Sequence, residues 1–154
     1  MDHLQQYENV GHVLEVLSQM HADIAGAISA LADQAQDERQ KMILGYLAEH
    51  QAERATALAA YQRDCEATLL KQWFQIPFPE DPQDLLESIR AFAPDTVTVE
   101  QLLSEIDRFM DLLLPHLRDR AETANVKAVF QGLLDIEDRE RHLRTRALGS
   151  FSQI

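Results

Sequence analysis

Acidic side chains recur at helical spacing in a stretch of the sequence whose other inward positions are apolar. Glu137 and Glu140 lie three residues apart and continue the pattern begun by Phe130 and Leu133. Residues three apart share one face of a helix, so both carboxylates are predicted to point into the protein. Buried carboxylates need a compensating partner, and a metal cation can be that partner. This stretch is therefore a candidate metal site.

A second stretch, related to the first by a fixed offset, carries imidazole and carboxylate groups. His50 corresponds to Glu137, and Glu53 corresponds to Glu140. Two helical patterns fit this segment; His50 points inward on both, whereas Glu53 does so on only one. Such mixed ligands suit iron, manganese or zinc. We therefore expect these four side chains to hold one or two transition-metal ions in the interior.

The first and third predicted helices each contribute one further polar residue. His21 occupies one position of an otherwise apolar pattern, and Asp107 lies beside the apolar pattern of the third helix. His21 and Asp107 are separated by nearly the same number of residues as His50 and Glu137, so both are candidate additional ligands. The complete predicted metal-ligand set is His21, His50, Glu53, Asp107, Glu137 and Glu140.

Basic side chains near the same faces give a second interpretation of this polar core. Arg54, Arg141 and Arg144 lie on or next to the inward faces and could pair with the glutamates. Carboxylates paired with arginine form a satisfied core without any metal. The sequence leaves both interpretations open.

The first half of the chain is predicted to form a helical hairpin. Apolar residues recur at alternate spacings of four and three from Val10 to Ala35, which is typical of a helix in a bundle. Asp37, with Gln40 three residues later, predicts the N-cap of a second helix that extends to about Leu70.

The second half is predicted to form another hairpin. A third helix follows a capping box of Thr98 and Gln101 and contains Pro115, which should bend it. A break at residues 122–125 leads into a fourth helix, which Gly149 is expected to end. Alternation of period two is nowhere sustained, so no strand is predicted.

A proline-rich link joins the two hairpins. Asp81 followed by Pro82 predicts the start of a short extra helix that extends to about Phe92. Four aromatic residues in or near the link are predicted to cover one end of the bundle, with a docking surface as the alternative: Trp73, Phe74, Phe78 and Phe92.

Composition limits the setting and the partners. A chain of 154 residues with 45% apolar residues fits a single domain over residues 1–154. The start of the sequence lacks the pattern of a signal peptide and Cys65 is the only cysteine, so a cytoplasmic location is expected. No stretch is apolar enough to span a membrane, and a net charge of -12 disfavours nucleic acid and anionic membranes. Small ligands, metal cations and proteins remain as partners.

Taken together, these features resemble the ferritin-like superfamily, in particular its rubrerythrin-related members. The two hairpins, the long crossover and the fourth-helix phrase over residues 126–137 carry the resemblance. It implies an all-α, up-down ferritin-like four-helix bundle, with a long crossover between helices two and three that carries a short extra helix. Members of that superfamily hold a di-iron or di-manganese centre with glutamates and Glu-x-x-His pairs.

In this sequence the histidine and glutamate ligands occupy different positions from those in the family's motif. Glu137 matches the glutamate of the family's fourth helix, but Glu140 replaces its histidine. His50 stands where the second helix of the family supplies glutamate, and Glu53 where it supplies histidine. The resemblance implies redox or metal-handling chemistry. The alternative is a metal-free bundle that acts by forming a homodimer or by binding a protein partner, with the acidic surface giving specificity. We expect the chain to form a homodimer.

Overall fold

The computed structural model describes residues 7–75 and 78–151, and most of this part of the chain is helical. The all-α prediction is confirmed. Two long helices form each half, and shorter ones lie between them. The described residues form six helices: α1 (Val10–Gln34), α2 (Glu38–Asp64), α3 (Ala67–Leu70), α4 (Pro82–Arg90), α5 (Val99–Arg120) and α6 (Ala124–Phe151).

Side-chain caps start three of these helices where the sequence predicts. The Asp37 carboxylate accepts a hydrogen bond from the Gln40 backbone N–H at the start of α2. Asp81 caps α4, whose first residue is Pro82. At Thr98 both reciprocal bonds of the capping box are present. Each cap satisfies N–H groups that the first turn of a helix leaves without partners.

The second helix ends earlier than the sequence predicts. α2 stops at Asp64, Cys65 is extended, and residues 67–70 form the separate helix α3, so the prediction of one helix to about Leu70 is wrong. The break lets α3 turn onto the start of α1. There, a Cβ added at Gly11 would lie 3.4 Å from the Leu70 Cβ and from the Leu70 carbonyl oxygen. The break at Cys65 thus coincides with a tertiary contact between α3 and α1.

The predicted stop at Gly149 is also wrong, because α6 continues to Phe151. A glycine ends a helix by adopting a positive φ, and no described glycine does so. Pro115 lies inside α5, as the sequence predicts, and this helix continues to Arg120.

A short β-ribbon, which the sequence does not predict, joins the chain start to the link. β1 (Tyr7–Asn9) pairs antiparallel with β2 (Trp73–Gln75). Three residues are too few to show alternation. Trp73 is 61% exposed, so it does not cover the bundle end, whereas Phe78 and Phe92 pack against the core. The side chain of Phe74 lies outside the described part of the structure.

The apolar core lies between the two hairpins. Phe109 of α5 and Phe130 of α6 are almost completely buried, and each contributes about 2–3 kcal/mol by its removal from water. α4 adds Leu86 and Ile89 and packs on α1 and α5. No helix of the described residues has the length and apolar character to cross a membrane. Polar contacts interrupt this core where α2 meets α6.

Candidate functional site

His21 lies on α1 and is 1% exposed. Its Nδ1 lies 2.6 Å from Gln51 Oε1, and because that oxygen only accepts, Nδ1 carries the proton. Burial lowers the pKa of His21 to about 4, with the Gln51 hydrogen bond acting in the opposite direction and the charges of Arg54 and His50 adding to the decrease. The ring is therefore neutral at pH 7.

His50 links α2 to α6 at the edge of the core. Its Nε2 lies 3.3 Å from Glu140 Oε2, and the Glu140 side chain is 33% exposed. The imidazole stacks on Tyr46, with ring centroids 6.3 Å apart. Burial raises the pKa of Tyr46; Arg144 lowers it, and the charges of Glu53 and Glu140 raise it. These groups thus meet around one boundary between the two helices.

Glu137 is held by arginines on both of its oxygens. Arg54 Nη2 of α2 lies 2.8 Å from Glu137 Oε2, and the two side chains are only 7% and 9% exposed. Arg141 Nε, one turn later on α6, lies 3.6 Å from Glu137 Oε1. The carboxylate predicted to bind metal is therefore compensated by two guanidinium groups.

Asp107 of α5 is likewise paired with arginine. Arg144 Nη2 and Nη1 donate to its two carboxylate oxygens at 2.7 and 3.2 Å, in the fork geometry that suits guanidinium and carboxylate. Arg141 Nε lies 3.5 Å from Asp107 and its Nη2 lies 2.9 Å from Asp111. Burial lowers the pKa of Arg141. The neighbouring carboxylates of Asp111, Asp107 and Glu137 raise it, and the pKa is raised overall. Arg141 and Arg144 thus tie α5 to α6.

Glu53 lies on the exposed surface. Of the two helical patterns that the sequence leaves open for α2, the observed one places Arg54 inward instead. The six predicted ligands are therefore divided among an imidazole–amide pair, an imidazole–carboxylate pair, two arginine-bound carboxylates and one surface glutamate.

This arrangement does not suit a metal ion. No group of three or more His, Cys, Asp or Glu side chains in the described part of the chain is placed to hold one. Guanidinium cations lie against the oxygens of Glu137 and Asp107 that a metal would need, and they would repel it. Metal binding itself stays a prediction that loading experiments can test.

Three members of the polar core were not predicted from the sequence. Asp111 lies one turn after Asp107, so helical spacing could have indicated that both meet Arg141. Tyr46 lies one turn before His50, so helical spacing also places these two rings on one face. Gln51 gave no comparable signal, because its contact with His21 depends on how α2 is rotated.

The outer surface shared by α2 and α6 is a second candidate site. It exposes two large apolar side chains, Met42 at 47% and Leu143 at 54%. Helical spacing aligns Met42 with Glu49 and Glu53 on α2, and aligns Leu143 with Ile136 and Arg139 on α6. We call these six residues the α2–α6 face: Met42, Glu49, Glu53, Ile136, Arg139 and Leu143.

Comparison with known proteins gives no relative: the chain matches no protein-family model, no curated protein and no solved structure. The ferritin-like resemblance therefore stays a prediction.

Proposed function

We propose that this chain is a helical-bundle protein that binds another protein surface through the α2–α6 face. The observation that carries the proposal is the exposure of Met42 and Leu143 on two neighbouring helices, with charged residues around them. Exposed apolar side chains bordered by polar ones are typical of protein interaction sites. Glu49 and Glu53 on this face favour a partner surface that presents basic groups.

The polar interior supports this proposal by serving the scaffold. Arg54–Glu137 joins α2 to α6, and Arg144–Asp107 joins α5 to α6. These pairs fix the rotation of the helices, which in turn fixes the side chains that the α2–α6 face presents. The carboxylates are then occupied in positioning helices and are not available for chemistry.

Photo-cross-linking in cells of the source organism tests the proposal. A photoreactive phenylalanine analogue at Leu143 should give one discrete cross-linked species, and Met42→Glu should abolish it because a charge enters the apolar contact. The matched control places the analogue at Lys127, which is exposed on the same helix. Equal cross-linking from both positions, or none from Leu143, contradicts the proposal.

Metal loading separates this proposal from the metal hypothesis. A ligand that binds only the folded protein must raise its melting temperature. We expect metal-stripped protein to melt at the same temperature with or without iron(II), manganese(II) or zinc(II). A rise that the double variant Glu137→Ala, Glu140→Ala removes would favour the metal hypothesis instead.

A further inference from the structure

Charge is divided between the two helices of the α2–α6 face. α2 contributes Glu49 and Glu53, and α6 contributes Arg139, with Arg146 beside it. All four side chains are exposed, and none forms an ion pair with another residue that the structure describes. Within the α2–α6 face, the charged residues of α2 are therefore acidic and the charged residue of α6 is basic, while Asp135 and Asp138 of α6 lie outside the face.

Contacts in the core set the heights of these charges. His50 lies beside Glu140 and Arg54 lies beside Glu137, so α2 and α6 run antiparallel. Each step forward along α6 therefore corresponds to one step back along α2. Arg139 lies level with residues 51–52 of α2, between Glu49 and Glu53 along the helix axis. Leu143 lies level with residues 47–48, between the heights of Met42 and Glu49.

We propose that the α2–α6 face binds a second copy of this chain, with a two-fold axis along the boundary between α2 and α6. The inference rests on the proposed function and names its partner. This axis runs parallel to the two helices. Rotation about it places α2 of each copy against α6 of the other and leaves the position of every residue along the axis unchanged. Arg139 of one copy then lies between Glu49 and Glu53 of the other, and symmetry repeats the contact.

The charge pattern also selects this axis over its alternative. A two-fold axis across the helices would lay α2 on α2 and α6 on α6, which sets glutamates against glutamates. Like charges placed opposite each other are destabilising and exclude that arrangement. In the selected arrangement, Leu143 lies over the stretch of α2 between Met42 and Glu49, next to the Tyr46 ring. Two chains of net charge -12 repel, so these local contacts must supply the attraction.

A charge-exchange experiment tests the arrangement by sedimentation equilibrium. The wild-type chain should form a species of twice 17.6 kDa. Arg139→Glu alone, and Glu49→Arg with Glu53→Arg, should each raise the dissociation constant at least about tenfold, because like charges then face each other. An equimolar mixture of the two variants should regain wild-type affinity, because both faces of the mixed dimer pair opposite charges.

Lys127→Glu is the matched control, since it changes the net charge as Arg139→Glu does but lies outside the face. It should leave the dissociation constant unchanged. All substituted residues are exposed, so circular dichroism should show folded helices in every variant. A monomeric wild-type chain, equal effects of Arg139→Glu and Lys127→Glu, or a mixture that does not recover would each overturn the inference. A monomer that still cross-links from Leu143 to a different protein would leave the proposed function standing.

Discussion

His21 shows what one buried side chain does to the pH dependence of the whole protein. The residue is enclosed on α1, with one nitrogen bonded to Gln51 and Nε2 without a partner among the described residues. Protonation would place a charge in the core close to Arg54 and His50. The folded protein therefore opposes a change that the unfolded chain accepts freely.

We predict that the free energy of unfolding falls as the pH is lowered from 6.5 to about 4. In this window the unfolded chain binds a proton at His21 and the folded chain does not, since its pKa is lowered to about 4. The loss contributed by this histidine is about 3 kcal/mol. Urea unfolding at pH 7 and pH 4 should show a smaller difference for His21→Gln than for the wild type. A His21 that titrates near its usual pKa in NMR spectra would contradict the proposed effect of burial.

The Arg54–Glu137 pair should be costly to break and inexpensive to replace. Arg54→Ala leaves Glu137 buried with one guanidinium fewer and should lower the free energy of unfolding by about 3 kcal/mol. Arg54→Met with Glu137→Leu should recover most of that loss, because neither charge then remains buried. Arg63→Ala is the matched exposed control on the same helix and should change stability by less than about 0.5 kcal/mol. Equal losses for Arg54→Ala and Arg63→Ala would show that the pair does not act as described.

For single residues, the sequence predicts which side chains point inward better than it predicts which groups they contact. His21, His50 and Glu137 are buried, as their positions in apolar patterns indicate. Whether Glu53 or Arg54 faces the core could not be decided, because the two patterns differ by a small rotation of α2. That rotation is set by contacts with α6, which lie far away in sequence.

Helix starts follow from local chemistry, whereas helix ends here depend on tertiary contacts. Thr98 and Gln101 satisfy each other's backbone groups within three residues, so their capping box is readable from sequence. α2 ends at Asp64, where the chain turns so that α3 contacts α1, and no local pattern predicts that contact. The ribbon of β1 and β2 likewise joins segments that are distant in the chain.

We predict that Thr98→Ala lowers the free energy of unfolding by about 1 kcal/mol. The substitution removes the hydroxyl that accepts from the Gln101 N–H, which leaves that donor without its cap. Thermal unfolding should show the loss, while Thr56→Ala on α2, whose hydroxyl bonds only to its own helix, should show less. Equal effects of the two substitutions would argue against a specific capping contribution.

For the whole molecule, the ion pairs and the proposed binding surface form one system. The contacts of α6 with α2 and with α5 fix how α6 is rotated, and the same rotation turns Arg139 and Leu143 outward. The sequence predicts helical hairpins and an acidic surface, but it does not show that apolar and charged residues of α2 and α6 share one face. That arrangement needs the register between two helices, which only the folded structure supplies.

Hydrogen exchange measured at low and at high protein concentration tests most directly whether two copies of the chain bind through the α2–α6 face. Association protects the amides of the segments that it covers. We expect slower exchange at high concentration in residues 42–53 and 136–146, with no change in residues 99–117. Protection that is absent, or that appears in α5 and not in α2 and α6, would contradict the proposed pairing of two copies through this face.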